Sequence, residues 1–258
     1  AKLDELATTL ASTVNKVTNA GASLPAPNTL TGTVAVTSAT ALSATGSWRV
    51  AIVDSAGALQ GSSDLNLSSY ATVGALVTAL NGISGITASV TANNQLKIAT
   101  TNTNFGLALN QMNSSIGGVP ATQYFGLNSL FSCSTGGTVT AANIRVNPGM
   151  TADNTIVPTG TLSNAATLTT GNTVMTSGDA TSISALVTAM GAGQSFNTAG
   201  NFASRNVTVS NYANAVLSGA AAVSNAAKTA SDTSGATFSY LNDKYVNSTG
   251  VNVDEETA

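Results

Sequence analysis

Tyrosines aside, eleven carboxylates, eight basic side chains, one cysteine and no histidine are the ionisable inventory of this 258-residue chain. The missing histidine removes the commonest general base, the usual metal ligand and every Ser/His or Cys/His nucleophile pair. What remains for catalysis is a carboxylate pair of the glycosidase type, one carboxyl donating a proton while the other acts as base or nucleophile. The central candidates are Asp54, Asp64, Asp153 and Asp179. Each has a simpler reading: Asp54 flanks a turn, Asp179 stands where it would cap a helix, and Asp64 and Asp153 sit in polar loops. Trp48 with Tyr70 could line a carbohydrate platform, but Trp48 on an alternating strand reads as core. Cys133, close to Phe131, reads as a small buried hydrophobe. Three adjacent carboxylates at 254–256 do not converge on one point, so they make a poor cation site. No Gly-x-x-x-x-Gly-Lys loop, Gly-x-Ser-x-Gly elbow or Cys-x-x-Cys pair occurs. The chain is therefore expected not to be an enzyme and to need no cofactor and no metal.

Composition narrows the class further. Hydrophobic residues make up 43%, enough for packed cores, whereas charged residues are only 7%, against roughly a quarter in an ordinary globular chain. The polar surface must come from Ser, Thr, Asn and Gln, as on secreted proteins and on proteins that pack against copies of themselves. Net charge is −3 with the basic residues scattered, so no stripe exists to neutralise a run of phosphates and nucleic-acid binding is not expected. No apolar run approaches the ~18 residues of a membrane span. Ala1-Lys2-Leu3-Asp4 lacks the features of a signal peptide. A lone Cys133 excludes an internal disulfide, leaving core burial or assembly as the source of stability. The Asn-x-Ser/Thr tripeptides at Asn66, Asn113, Asn206 and Asn247 arise readily in such a composition.

Hydrophobic spacing supplies the elements that would position these residues. Leu3, Leu6, Leu10, Val14 and Val17 predict a helix with a one-sided stripe, stopped by Gly21 and Pro25. From Thr29 to Gln111 the texture is β-rich. Trp48, Val50 and Ile52 alternate on a strand that ends at the turn 55–57, and Tyr70 to Leu80 returns to helical spacing. Residues 86–92 and 95–99 flank Asn93-Asn94 as a hairpin, because Asn tolerates the positive φ of its turn. Phe105 to Leu109 and Ala142 to Asn147 read as strands, with a dense apolar cluster at 124–131 between them. Asp179 caps a predicted helix over Ser182–Met190. Asn201 to about Tyr245 predicts a long helix, with breaks near Gly219 and Gly235. Its stripe contains Val209, Tyr212, Val216, Val223, Phe238, Leu241 and Tyr245, with small residues between that let helix axes approach closely. The tetrapeptide Leu76–Ala79 recurs at Leu186–Ala189, which this biased composition explains by coincidence.

Five segments carry a family resemblance. Ser248-Thr-Gly-Val-Asn-Val-Asp-Glu-Glu256 is similar to the Ser-x-Gly-Val-Asn-Leu-Asp-Glu-Glu signature of the hook-associated protein 1 family and of related flagellar rod and hook proteins. Tyr124-Phe-Gly-Leu-Asn-Ser-Leu-Phe131, Ala141-Ala-Asn-Ile-Arg-Val-Asn-Pro148 and Gly178-Asp-Ala180 resemble further family segments, in the same order. Val73 to Ile98 looks like an inserted motif shared by flagellins and hook-associated proteins. The resemblance covers about three quarters of the chain.

It implies an α+β fold: a helical rod-like domain of long antiparallel helices formed by 1–25 plus 135–258, with a β-rich domain, 26–134, inserted. It also implies a structural subunit joining flagellar hook to filament, exported through the flagellar type III route without a cleavable signal. Expected partners are the hook protein, the second junction protein, copies of the chain itself and an export chaperone, the last through a C-terminal helix that the family has and this sequence lacks. The family's N-terminal helical region is likewise missing, so the chain reads as a fragment. Assembly contacts fall to Val209, Tyr212, Val216, Val223, Phe238, Leu241 and Tyr245. In the signature, Gly250 would end the long helix in the left-handed conformation. Val251 and Val253, on either side of Asn252, would alternate outward as a short extended linker, and Asp254, Glu255 and Glu256 would place negative charge at the start of the following helix. The competing reading is a surface-exposed binding module, an adhesin or glycan-binding flagellin relative, using the β-rich part as its recognition face.

Overall fold

A computed structural model describes residues 1–133 and 137–250. In chain order its main elements are α1 (Lys2–Ala20), β1 (Thr29–Ala35), β2 (Ala44–Thr45), β3 (Ser47–Val53), β4 (Leu59–Asn66), α2 (Val73–Asn81), β5 (Ile86–Val90), β6 (Gln95–Thr100), β7 (Gly106–Asn110), β8 (Ser115–Ile116), α3 (Ala121–Phe125), β9 (Phe131–Cys133), β10 (Ile144–Val146), α4 (Pro148–Ala152), α5 (Thr181–Gly191), β11 (Gln194–Phe196), β12 (Arg205–Val207) and α6 (Val209–Thr249). The fold is α+β. The chain divides into two compact units, Ala1–Val209 and Ser210–Ala258.

The first unit is organised around β3. Its sheet has the order β4-β3-β7, and both neighbours run antiparallel to it. A second antiparallel sheet has the order β1-β6-β5. Six of the seven β3 residues are buried, so β3 reads as a strand covered on both faces. Trp48, Val50 and Ile52 point into the main core, which also takes Leu96 and Ile98 from β6, Leu76 and Leu80 from α2, and Phe125 from α3. The predicted alternation therefore holds. Ala51 and Val53 point the other way, into a smaller core with Ala22, Leu59, Ala108, Leu162, Val174 and Met175.

That second face is covered by irregular chain. Gly160 bridges Ala22, Thr173 bridges Ala58, and the Leu59 N–H donates to the Asn172 carbonyl at 2.9 Å. Arg49, on the same face as Ala51 and Val53, is 2% exposed and pinned from two sides. Its Nε and Nη2 donate to the two Asp64 carboxylate oxygens at 2.6 and 2.7 Å, while Nη1 donates to the Ala165 carbonyl at 2.6 Å. The cross-strand register Arg49↔Asp64 makes this fork possible. Asp64 thus lies within β4 and not in the polar loop expected from sequence.

The loops follow local chemistry. Asp54 accepts from the Ala56 and Ala58 N–H groups, both at 2.9 Å, and Gly57 takes φ +84°, closing the β3–β4 turn. Asn94, at φ +59°, turns the β5–β6 hairpin as expected. Thr72 caps α2 by accepting from Ala75 N–H at 3.2 Å, so the helix starts at Val73 and Tyr70 precedes it.

Helix α1 buries Ala7, Ala11, Val14 and Thr18, whereas Leu3 is exposed, so its buried face is rotated from the predicted leucine stripe towards small residues. It packs on α5 and β11. Two asparagines one turn apart fasten its end. Asn15 exchanges hydrogen bonds of 2.8 Å with the Phe131 backbone; Asn19 accepts from Asn128 N–H and donates to Ser129 Oγ, both at 2.9 Å. Leu76–Ala79 and Leu186–Ala189 each fall in a helix leading into an antiparallel strand pair, α2 into β5–β6 and α5 into β11–β12.

In the second unit α6 continues to Thr249 as one helix. The long helix begins at Val209 and not at Asn201, because β12 occupies 205–207 and an Ala199–Phe202 bridge closes the turn before it. Gly219 and Gly235 do not break it; each costs the helix about 1 kcal/mol relative to alanine.

Removing one member of the Arg49–Asp64 pair should cost unequally. Asp64→Ala leaves a buried guanidinium uncompensated and should lower stability by about 3 kcal/mol, whereas Arg49→Met leaves a half-exposed carboxylate that water can solvate and should cost about 1 kcal/mol. Urea unfolding midpoints at unchanged slope measure the difference; equal losses would contradict this account.

Candidate functional site

Among the described residues, the carboxylates do not assemble into a catalytic pair. Asp64 is committed to Arg49. Asp54 lies at the opposite end of the β3–β4 ladder from it, about five residues or roughly 17 Å away at ~3.3 Å per residue. Asp153 accepts from the Thr155 hydroxyl at 2.6 Å and from the Thr155 N–H at 3.0 Å, and these donors, the hydroxyl foremost, hold its pKa below the ordinary carboxylate value. Asp54 and Asp153 line one cavity of about 420 Å³, and each is turned to its own backbone. No group of three or more His, Cys, Asp or Glu side chains that could hold a metal ion occurs among the described residues.

Asp179 departs from its expected role in detail. The residue at the N-cap of α5 is Ala180, without a side-chain cap. Asp179, one position earlier, accepts from the Thr181 hydroxyl at 2.6 Å and the Thr181 N–H at 2.9 Å, and its other oxygen accepts from Thr161 N–H at 2.9 Å. It therefore ties the helix start to the 157–162 segment. These donors, the Thr181 hydroxyl foremost, lower its pKa.

Two other candidates resolve as core. Trp48 is fully buried and its Nε1 donates to Thr122 Oγ1 at 3.0 Å, so it forms no platform with Tyr70. Cys133 is buried, its thiol directed to the Gly137 carbonyl at 2.9 Å.

The remaining candidate is the α6 surface. Of the seven assembly residues read from sequence, Val209 and Tyr212 are buried and Val216 is half-buried. Val223 is 70% exposed, Phe238 73%, Leu241 59% and Tyr245 67%. Phe238, Leu241 and Tyr245 follow i, i+3, i+7 spacing, one line along the last turns of the helix. Leu217, Tyr240 and Val246 are also exposed on this helix, Leu217 more than five turns before the line and Tyr240 on the opposite side of the helix from it. Local interactions on this helix are few: a Lys228–Asp232 pair at 2.8 Å and the Lys244 ammonium 5.8 Å from the Tyr240 ring. Such exposed pairs contribute only about 0.3–0.5 kcal/mol each. A helix this long, with an alanine- and serine-rich middle, gains most of its stability from packing.

Of the Ser248–Glu256 segment, Ser248 and Thr249 end α6 and Gly250 follows; Val251, Asn252, Asp254, Glu255 and Glu256 lie outside the described residues. Gly250 does not take the left-handed conformation expected of it. Its N–H donates to the Val246 carbonyl at 2.6 Å, continuing the right-handed hydrogen-bond ladder by one residue. The Asn15, Asn19 and Asn128 clamp gave no periodic signal in the sequence. The one available sign was three asparagines at helix-end and turn positions, where their side chains substitute for backbone partners.

No helix among the described residues is long and apolar enough to cross a membrane. No protein-family model matches the chain, and no curated protein matches it at a significant level.

The lowered Asp179 pKa has a consequence for α5. An aspartate with a folded-state value below the ordinary 3.8 contributes stability above that pH and loses it as pH falls through the folded value. The protection factors of the Thr161 and Thr181 amides, that is their exchange relative to the intrinsic rate at each pH, should therefore fall on acidification below about pH 4. Asp179→Ala should lower them already at pH 7 and remove the acid dependence; an unchanged profile would contradict the assignment.

Proposed function

We propose that the chain is a structural subunit of the bacterial flagellum that joins hook to filament by packing against its neighbours. The observation that carries this reading is the line Phe238, Leu241 and Tyr245. These exposed apolar residues end a 41-residue helix that leads directly into the Ser248–Glu256 signature. Burying side chains of this kind contributes roughly 1.5–3 kcal/mol each, so three of them are of the size needed to offset part of the ~4–15 kcal/mol cost of association. The uncharged Ser/Thr/Asn surface fits a protein surrounded by copies of itself and other axial subunits.

In this reading 1–25 plus 135–258 form a rod-like domain of long antiparallel helices, completed by family segments outside this sequence, and 26–134 form the inserted β-rich domain. The partners are the hook protein, the second junction protein, further copies of the chain and an export chaperone. The location is extracellular, at the junction. The subunit acts by shape and needs no cofactor, consistent with a histidine-free sequence whose central carboxylates are each occupied by local structure.

Deleting the gene in its own bacterium should leave hooks without filaments and release flagellin into the medium. Complementation with a Phe238→Asp/Leu241→Asp double variant should fail although the protein is folded by circular dichroism and exported. Normal filaments in the deletion strain would exclude the junction role.

A further inference from the structure

One cavity in the first unit holds about 640 Å³, within the usual size of small-molecule sites. It lies between the β1–β6 sheet and the β9–β10 ribbon. Its lining mixes hydroxyls and amides with the apolar side chains of Leu30, Leu127, Met150 and Ile156; among the described lining residues Arg145 is the single charged side chain. Thr29 and Thr31 stand on one face of β1, since side chains two apart share a face. Asn93 and Asn94 come from the hairpin turn. None of these four side chains has a hydrogen bond to another described residue, and Arg145 has neither ion pair nor hydrogen bond there.

The ribbon register places Arg145 directly opposite Ser132. Ser132 is 7% exposed and its Oγ has no hydrogen-bond partner. A buried hydroxyl left unsatisfied is costly, and rotation about its Cα–Cβ bond is the short route to a partner in the adjoining cavity. A solvent-exposed guanidinium with no ion pair, beside an orphaned hydroxyl, is a donor pair for a carboxylate, which accepts two parallel N–H bonds from arginine. The uncommitted threonine and asparagine side chains match vicinal hydroxyls.

We propose that this cavity binds a carboxylate-bearing polyol, the chemistry of an acidic sugar, with Arg145 and Ser132 on the carboxylate and the β1 threonines and hairpin asparagines on the hydroxyls. The site is independent of the assembly role.

Titration of the 258-residue chain with D-glucuronate, D-glucose and sulfate, followed by calorimetry and amide chemical shifts, tests it. Glucuronate should bind and shift the Ser132 and Arg145 amides. Glucose and sulfate should each bind at least tenfold more weakly, the one lacking charge and the other lacking the polyol. Arg145→Gln, at an exposed position, should weaken glucuronate at least tenfold, and Ser132→Ala severalfold, with folding unchanged. A glucuronate-terminated oligosaccharide that binds as tightly as the free sugar assigns the site to glycan ends; one that is excluded assigns it to free acids, and either supports the chemistry. No glucuronate binding, sulfate binding of equal strength, or unchanged affinity in Arg145→Gln would overturn the proposal.

Discussion

Burial of β3 on both faces is the constraint from which the first unit follows. A strand whose every other residue enters a different core needs a layer on each side. On one side the layer is regular: the β1-β6-β5 sheet with α2 and α3. On the other it is the segment around Leu162–Met175, which has little secondary structure of its own and takes its hydrogen bonds from β4 and the β3–β4 turn. Arg49 makes that cover specific. An arginine at a buried sheet position is expensive unless its whole fork is satisfied, and here Asp64 and the Ala165 carbonyl satisfy it from opposite sides. The strap, the hairpin and the central strand are thereby tied at one residue.

The same economy of charge shapes the rest. With 7% charged residues, nearly every described carboxylate in the first unit serves backbone N–H groups. Asp54 closes a turn, Asp153 a short helical turn, and Asp179 a helix start together with a distant segment. Asparagine does comparable work at Asn15, Asn19 and Asn128, fastening α1 to the 128–131 backbone. Polar side chains are used as connectors, which leaves the exposed apolar line on α6 and the cavity beside Arg145 among the surfaces the fold does not consume.

Much of the β architecture was legible in the chain. The alternation of Trp48, Val50 and Ile52, the Asn93-Asn94 turn and the Gly57 turn are local signals, and local signals survive folding. The helix limits were less so. Thr72 and not Tyr70 sets the start of α2, because its hydroxyl takes the Ala75 N–H. Residues 201–208 share the small polar character of α6, yet Arg205–Val207 among them pair with β11. The buried side of α1 keeps Val14 of the predicted stripe but is rotated towards alanine, leaving Leu6, Leu10 and Val17 half-buried. Close packing on α5 favours the small residues Ala7 and Ala11.

By itself the sequence determined which chemistry is unavailable, where the hairpins turn and that a long helix closes the chain. These depend on residue type or on neighbours within a few positions. Only the tertiary structure decided that Arg49 meets Asp64 and the 163–165 carbonyls, that Asn19 reaches Asn128 and Ser129, and that Arg145 stands opposite an unsatisfied Ser132. Each of those pairings depends on strand register or on chain segments brought together from a distance, and a single sequence carries no periodic trace of either.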